Sequence, residues 1–193
     1  MGTYYTRGAT RADIIKELLE VSAPRTGDDG NVRARRVLDH AVVGSILYTL
    51  ECQTLNGHPM PAWIGVTLLT SCGGDAGYKP MDESMGPYYY TCPLRIIDAA
   101  DAPVNELARA WREKVRAYHA ARRTKAAANR AKLAEIRPGV TLRLPEGFAV
   151  RSIRVYSVDG RRIVGQTDAG RLYLMTPRSI AAAEVIPATD SAS

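Results

Sequence analysis

Asn56-Gly57 stands between two apolar runs, Ser45-Ile-Leu-Tyr-Thr-Leu-Glu-Cys-Gln53 and Ala62-Trp-Ile-Gly-Val-Thr-Leu-Leu-Thr70. Asn and Gly both tolerate the positive φ of a type I′ turn, and the twist of that turn matches the strands it joins. Such a dipeptide between runs rich in β-branched and aromatic residues is a strong short-range hairpin signal. The pair therefore predicts an antiparallel hairpin at the heart of an N-terminal sheet. Upstream, Thr10 and Asp13 have capping-box spacing, and Ile14/Leu18 and Ile15/Leu19 repeat at i, i+4. That predicts a short helix to about Val21. Ser22 to Asn31 carries Pro24, Gly27 and Gly30 and reads as an exposed loop. Val37-Leu38 and Ala41-Val42-Val43 leave helix and strand both open.

Beyond the hairpin, Pro93 is placed to open a short helix to Ala99, and Pro103 a longer one. Leu107, Trp111, Val115 and Tyr118 form one apolar stripe in that longer helix. From residue 121 to 132 only alanine, polar and basic side chains follow, so the segment is either an exposed helical arm or a linker. Arg137-Pro138-Gly139 ends it. Val140 to Leu144, Ile153 to Val158, Arg162 to Gln166 and Arg171 to Met175 alternate like short strands. Asp159-Gly160 and Asp168-Ala-Gly170 supply the turns between them. The expectation is an α+β chain: an antiparallel sheet with flanking helices, a long basic helix, and a small C-terminal SH3-like β-barrel. Its expected divisions are residues 1–103, 104–135 and 136–187, with a disordered tail at 188–193.

The formal net charge is +6, and it is unevenly spread. Residues 1–106 carry nine basic and thirteen acidic side chains, whereas residues 107–134 carry nine basic and one acidic. A concentrated positive segment points to a polyanionic partner more strongly than a diffuse excess does. The bland alternative is a solvated Ala/Arg-rich helix. Three cysteines, Cys52, Cys72 and Cys92, form no close pair, and the three histidines show no metal-binding spacing. No zinc site, catalytic metal or cofactor is expected. The start lacks the apolar stretch of a signal peptide, and no run reaches the roughly 18 apolar residues of a membrane span. The chain reads as cytoplasmic, with reduced thiols and no membrane contact.

Gly77-Tyr-Lys-Pro-Met-Asp-Glu-Ser-Met-Gly-Pro-Tyr-Tyr-Tyr-Thr-Cys-Pro93 reads as a structured loop with a task of its own. Together with the opening Met-Gly-x-Tyr, Ala41-Val-Val-Gly-Ser45 with Tyr48, Trp63 to Leu69, and Ala108-x-x-Trp-Arg112, it resembles a family of phage, plasmid and integrative-element proteins of bacteria. The resemblance covers roughly residues 1–120. It implies a mobile-element context and no particular chemistry, since the family has no established activity. Pro80 stands where that family often has an acid, making the loop stiffer and less charged.

Three roles compete. In the first, a non-enzymatic accessory protein binds nucleic acid, or a nucleic-acid-handling host complex. Arg109, Arg112, Arg116, Arg122, Arg123, Lys125, Arg130 and Lys132 form the basic helix, and Arg151, Arg154, Arg161 and Arg162 extend it onto the small barrel. Guanidinium rows at helical spacing can track phosphates. By analogy with mobile elements, blocking a host nuclease is one form such a role takes. In the second, Tyr78, Lys79, Asp82, Glu83, Tyr88, Tyr89 and Tyr90 dock a protein or ligand, though Tyr89 turned inward between two covering neighbours is an equally weighted scaffold reading. In the third, Lys79, Asp82, Glu83 and Cys92 form a small active site. Adjacent carboxylates diverge on strand or helix alike, and Ser84 lacks the nucleophile-elbow context, so no catalytic residue is assigned.

Overall fold

The computed structural model describes residues 3–4, 9–20, 23–72, 75–86, 88–160 and 162–186. Contacts divide the chain into two compact units, Met1–Ala120 and Ala121–Ser193. Residues Arg161 and 188–193 lie outside the described part, as do the side chains of Tyr78 and Lys79.

In the first unit, β1 (Thr3–Tyr4) precedes α1 (Arg11–Leu19), followed by β2 (Arg25–Thr26), β3 (Val32–Val43), β4 (Ile46–Leu55), β5 (His58–Pro59), β6 (Trp63–Cys72) and β7 (Asp75–Asp82). A 3-10 turn (Glu83–Met85) leads to α2 (Leu94–Ala99) and α3 (Glu106–Glu135). The seven strands make one antiparallel sheet in the order β1-β7-β6-β4-β3-β2, with β5 on the end of β4. The expected hairpin is present: Asn56 and Gly57 take φ of 50° and 82°, and β4 pairs with β6 from Ile46↔Leu68 to Glu51↔Trp63. The capping box of α1 also forms, with Thr10 and Asp13 satisfying each other's backbone N–H groups.

The stretch left open between helix and strand is the twelve-residue strand β3. Ten cross-strand pairs with β4, interrupted by a bulge at Leu38, outweigh any helical preference of Val37-Leu38 or Ala41-Val43. The expected loop at 77–93 is also partly strand. Its first six residues belong to β7 and pair with β6, from Gly65↔Asp82 to Thr70↔Gly77.

Helices cover both faces of this sheet. On one, Ile14 and Leu18 of α1 pack against Leu47 and Leu69. On the other, Ile96 and Ile97 of α2 and Trp111 and Val115 of α3 pack on Ile46, Tyr48, Leu50, Ile64 and Val66. That explains why β4 is buried continuously from Ile46 to Cys52 rather than alternating. The apolar stripe of α3 is rotated from the expected one. Leu107 is exposed, while Ala108, Trp111, Arg112 and Val115 are buried.

The division between units falls inside α3. The second unit contains its final turns, then β8 (Thr141–Arg143), β9 (Ser152–Asp159), β10 (Arg162–Gln166), β11 (Leu172–Leu174), α4 (Pro177–Ala182) and β12 (Glu184–Ile186). Five antiparallel strands run β11-β10-β9-β8-β12, and among the described residues no ladder joins the two ends. Ile136, Val140, Leu142, Ile153, Val155, Ile163, Met175 and Ile180 form a separate core. Helix α4 and strand β12 carried no sequence expectation. Thr176 and Ser179 cap α4 reciprocally, and Pro177 occupies its first turn, a signature visible in Thr-Pro-Arg-Ser.

Candidate nucleic-acid interface

Residues 83–86 and 88–92 tie the first unit's sheet to α3 as a strap. Glu83 is 1% exposed, and its carboxylate accepts from Arg112 at both oxygens, Nε lying 2.5 Å from Oε2. The third guanidinium arm donates to the Asp101 carbonyl. The Tyr89 carbonyl accepts from Trp111 Nε1 at 3.2 Å and from the Tyr48 hydroxyl at 3.3 Å. His119 Nε2 lies 2.8 Å from the Cys92 carbonyl. Asp82 caps the 3-10 turn by accepting from the Ser84 N–H at 2.9 Å.

This geometry corrects the assignment of Arg112 to a phosphate-binding row. A guanidinium only 5% exposed, with each of its three nitrogens already bonded inside the fold, is out of reach of a phosphate. It also removes Glu83 and Cys92 from a catalytic set. The Cys92 thiol is fully buried, and burial, reinforced by nearby Glu83, pushes its pKa far above the ordinary thiol range. The scaffold reading of the tyrosines is reversed in detail. Tyr88 and Tyr90 pack against the core, Tyr90 also lying 6.0 Å beneath Lys114 Nζ, while Tyr89 is the exposed one at 55%.

A second polar cluster, not anticipated from sequence, lines a cleft of about 380 Å³ on the α1 side of the sheet. Arg35 donates to both oxygens of Glu51, at 2.6 and 2.8 Å, and to the Leu18 carbonyl at 3.1 Å. Thr49 donates to the same carboxylate, and Gly65 is the residue that leaves room for it. Every charge in this cluster is answered by a neighbour. Its only sequence signal was an acid inside an apolar strand and a Gly among bulky strand residues.

The basic side chains divide sharply by unit. In Met1–Ala120, Arg33, Arg35, Arg95, Arg109, Arg112 and Arg116 each pair with a carboxylate, and the unit carries thirteen basic and fourteen acidic groups. Ala121–Ser193 carries thirteen basic and six acidic groups, a net +7. There, Arg143 pairs with Glu184 and Arg151 with Glu146. Arg123, Lys125 and Arg130 are exposed on α3, and Arg154 and Arg162 are exposed on β9 and β10. Lys132 stands apart. Its ammonium donates to the Ala181 and Ala183 carbonyls at 2.7 and 2.8 Å, capping the C-terminal end of α4. The structure therefore groups Arg123, Lys125, Arg130, Arg154 and Arg162 in one unit, leaves Arg109 and Arg116 as surface ion pairs of the other, and buries Arg112. Arg122 is exposed within the same unit as the first group.

Among the described residues no cluster of His, Cys, Asp or Glu is arranged to hold a metal ion, and no helix is long and apolar enough to cross a membrane. Compared with known proteins, the chain matches no family model, no curated protein and no solved structure.

Proposed function

We propose that this is an accessory protein of a bacterial mobile element that binds nucleic acid, alone or within a host complex, through the unit Ala121–Ser193 acting as a small SH3-like β module with a basic helix. One observation carries the reading: among the described residues, six arginines of the first unit pair with carboxylates, whereas exposed Arg123, Arg130, Arg154 and Arg162 lie in a second unit with a net charge of +7. Unneutralised guanidinium groups exchange bulk counterions for phosphates and so favour polyanions. The chain has no base-reading module such as a helix-turn-helix or an RRM signature, which fits weak sequence preference.

The test is binding of the full-length, nuclease-treated protein to labelled single-stranded DNA, RNA and duplex DNA over a salt series. Tight binding at low salt is expected, with log K falling against log salt at a slope of about −3.5 for some five phosphate contacts on a single strand. Absence of binding to all three at low salt would overturn the reading.

A second reading, docking of a host protein on the strap, is favoured by exposed Met85 and Tyr89, at 62% and 55%. Under it, Met85→Ser with Tyr89→Ser abolishes activity in the host and leaves nucleic-acid affinity unchanged.

A further inference from the structure

The outer face of the second unit's sheet mixes positive charge with exposed apolar surface. Along β9 the inward residues Ile153 and Val155 are buried, while Arg154 and Tyr156 point outward. The register between β9 and β10 slips at this point: Val155 pairs with Gly165 and Ser157 with Val164. Tyr156 is the extra residue of the resulting bulge, without a cross-strand partner of its own. Bulges re-aim a side chain and recur beside binding sites. Here the bulge leaves the ring 60% exposed on a sheet rather than on a loop.

The surroundings fit a base. Arg154, two residues away on the same face, pairs across the sheet with Gln166, which in turn pairs with Leu172. Leu172 and Leu174 of the edge strand β11 are 57% and 61% exposed. Directly opposed side chains on neighbouring strands lie about 5 Å apart, so Arg154 and Gln166 form the row next to Tyr156, with Leu172 and Leu174 on the edge strand beyond β10. A tyrosine that served only to pack would be covered, and one that served only solubility would not need an apolar surround.

We infer that Tyr156 is a stacking platform for an unpaired base, with Arg154 holding the adjacent phosphate, so that this face selects single-stranded over duplex nucleic acid. The inference rests on the nucleic-acid reading above and adds the strand type and the residue that selects it. Duplex bases present only their edges, whereas every unpaired base offers a π-face, and aromatic stacking is sequence-tolerant for that reason. The +7 charge of the unit supplies the complementarity to the strand's phosphates.

The experiment compares full-length protein binding to oligothymidylate, to an abasic strand with the same number of phosphates, and to duplex DNA, for wild type, Tyr156→Ala and Tyr156→Phe. Wild type is expected to favour oligothymidylate over the abasic strand by about tenfold, the scale of one stacked base. Tyr156→Ala should lose that preference, keep its affinity for the abasic strand, and keep the same salt slope. Tyr156→Phe should retain the preference, since the ring and not the hydroxyl stacks. Equal wild-type affinity for both strands, or an unchanged preference in Tyr156→Ala, overturns the inference while salt-dependent binding of the abasic strand leaves the phosphate reading standing. Failure of every strand to bind removes both. Light scattering on the same samples decides the competing occupant. A dimer that Leu172→Ser with Leu174→Ser dissolves, and that excludes oligothymidylate, would show that a second copy covers the face.

Discussion

At the scale of single residues, burial of charge decides more than charge itself. The Arg112–Glu83 side chains are 6% and 1% exposed, so each depends on the other for hydrogen bonds that water no longer supplies. Arg112→Met should cost about 3–5 kcal/mol, because it leaves a buried carboxylate unpaired. The double variant Arg112→Met with Glu83→Leu should recover much of that loss in a denaturant titration. A single variant of near wild-type stability would show that water reaches the pair. Burial also acts on neutral acids. It pushes the Tyr48 phenol from its ordinary 10.0 up to about 12, partly offset by its hydrogen bond to Thr91. The Cys92 thiol is raised from 9.0 by the same cause. The unfolded chain releases these protons first, so their contribution is fully present below about pH 9.0 and is lost as pH rises toward 12. A thermal melt series from pH 8 to about pH 11 should show this decline, shallower in Tyr48→Phe, whose ring cannot ionise. An equal decline in both proteins would assign the alkaline slope elsewhere.

At the scale of elements, close backbone approach explains residues that propensity alone would disfavour. A Cβ on Gly65 of β6 would run into Thr49 Oγ1 and stand 2.5 Å from Glu51 Oε1. Arg35 holds the Glu51 carboxylate and Thr49 donates to it, so neither atom can yield without parting the cluster. Gly65→Ala should therefore destabilise by about 1–3 kcal/mol, as overpacking does. An unchanged denaturation midpoint would mean that the cleft relaxes freely. Helix α3 shows the converse. Its first half is fixed by Trp111 and Val115 in the core, whereas residues 121–128 are all exposed. Alanine, arginine and lysine propensity, with attachment at both ends, is what sustains that second half. The long helix was legible from composition. Which of its faces turns inward was not, because Leu107 and Arg112 exchange the places that hydrophobicity assigns them.

At the scale of the whole molecule, charge is partitioned by folding. The sequence places its positive excess at residues 107–134, but pairing within the fold moves it to Ala121–Ser193. Charge reversal separates the two assignments. Arg123→Glu with Arg130→Glu and Arg154→Glu should abolish nucleic-acid binding at physiological salt. Arg109→Glu with Arg116→Glu should change affinity less than threefold, since those groups already answer Glu106 and Asp98. Equal losses from both sets would return the interface to the helix as a whole.

Local chemistry in the chain determined the elements that depend on neighbours in sequence: the Thr10 cap, the Asn56-Gly57 turn, the alternating C-terminal strands and the length of α3. Each arises from backbone preference or from side chains a few residues apart, so each is written in a short window. The tertiary structure alone decided that β3 is a strand, that Glu83 meets Arg112, that Arg35 meets Glu51, and that Tyr156 stands out on a bulge. Those outcomes depend on partners on other elements: β3 pairs along β4 out to Arg33 with Leu55, Arg35 meets Glu51 at a separation of 16 residues, Glu83 meets Arg112 at 29, and the bulge at Tyr156 exists only against β10. Burial at such separations is a property of packing, and no local window of the sequence contains it.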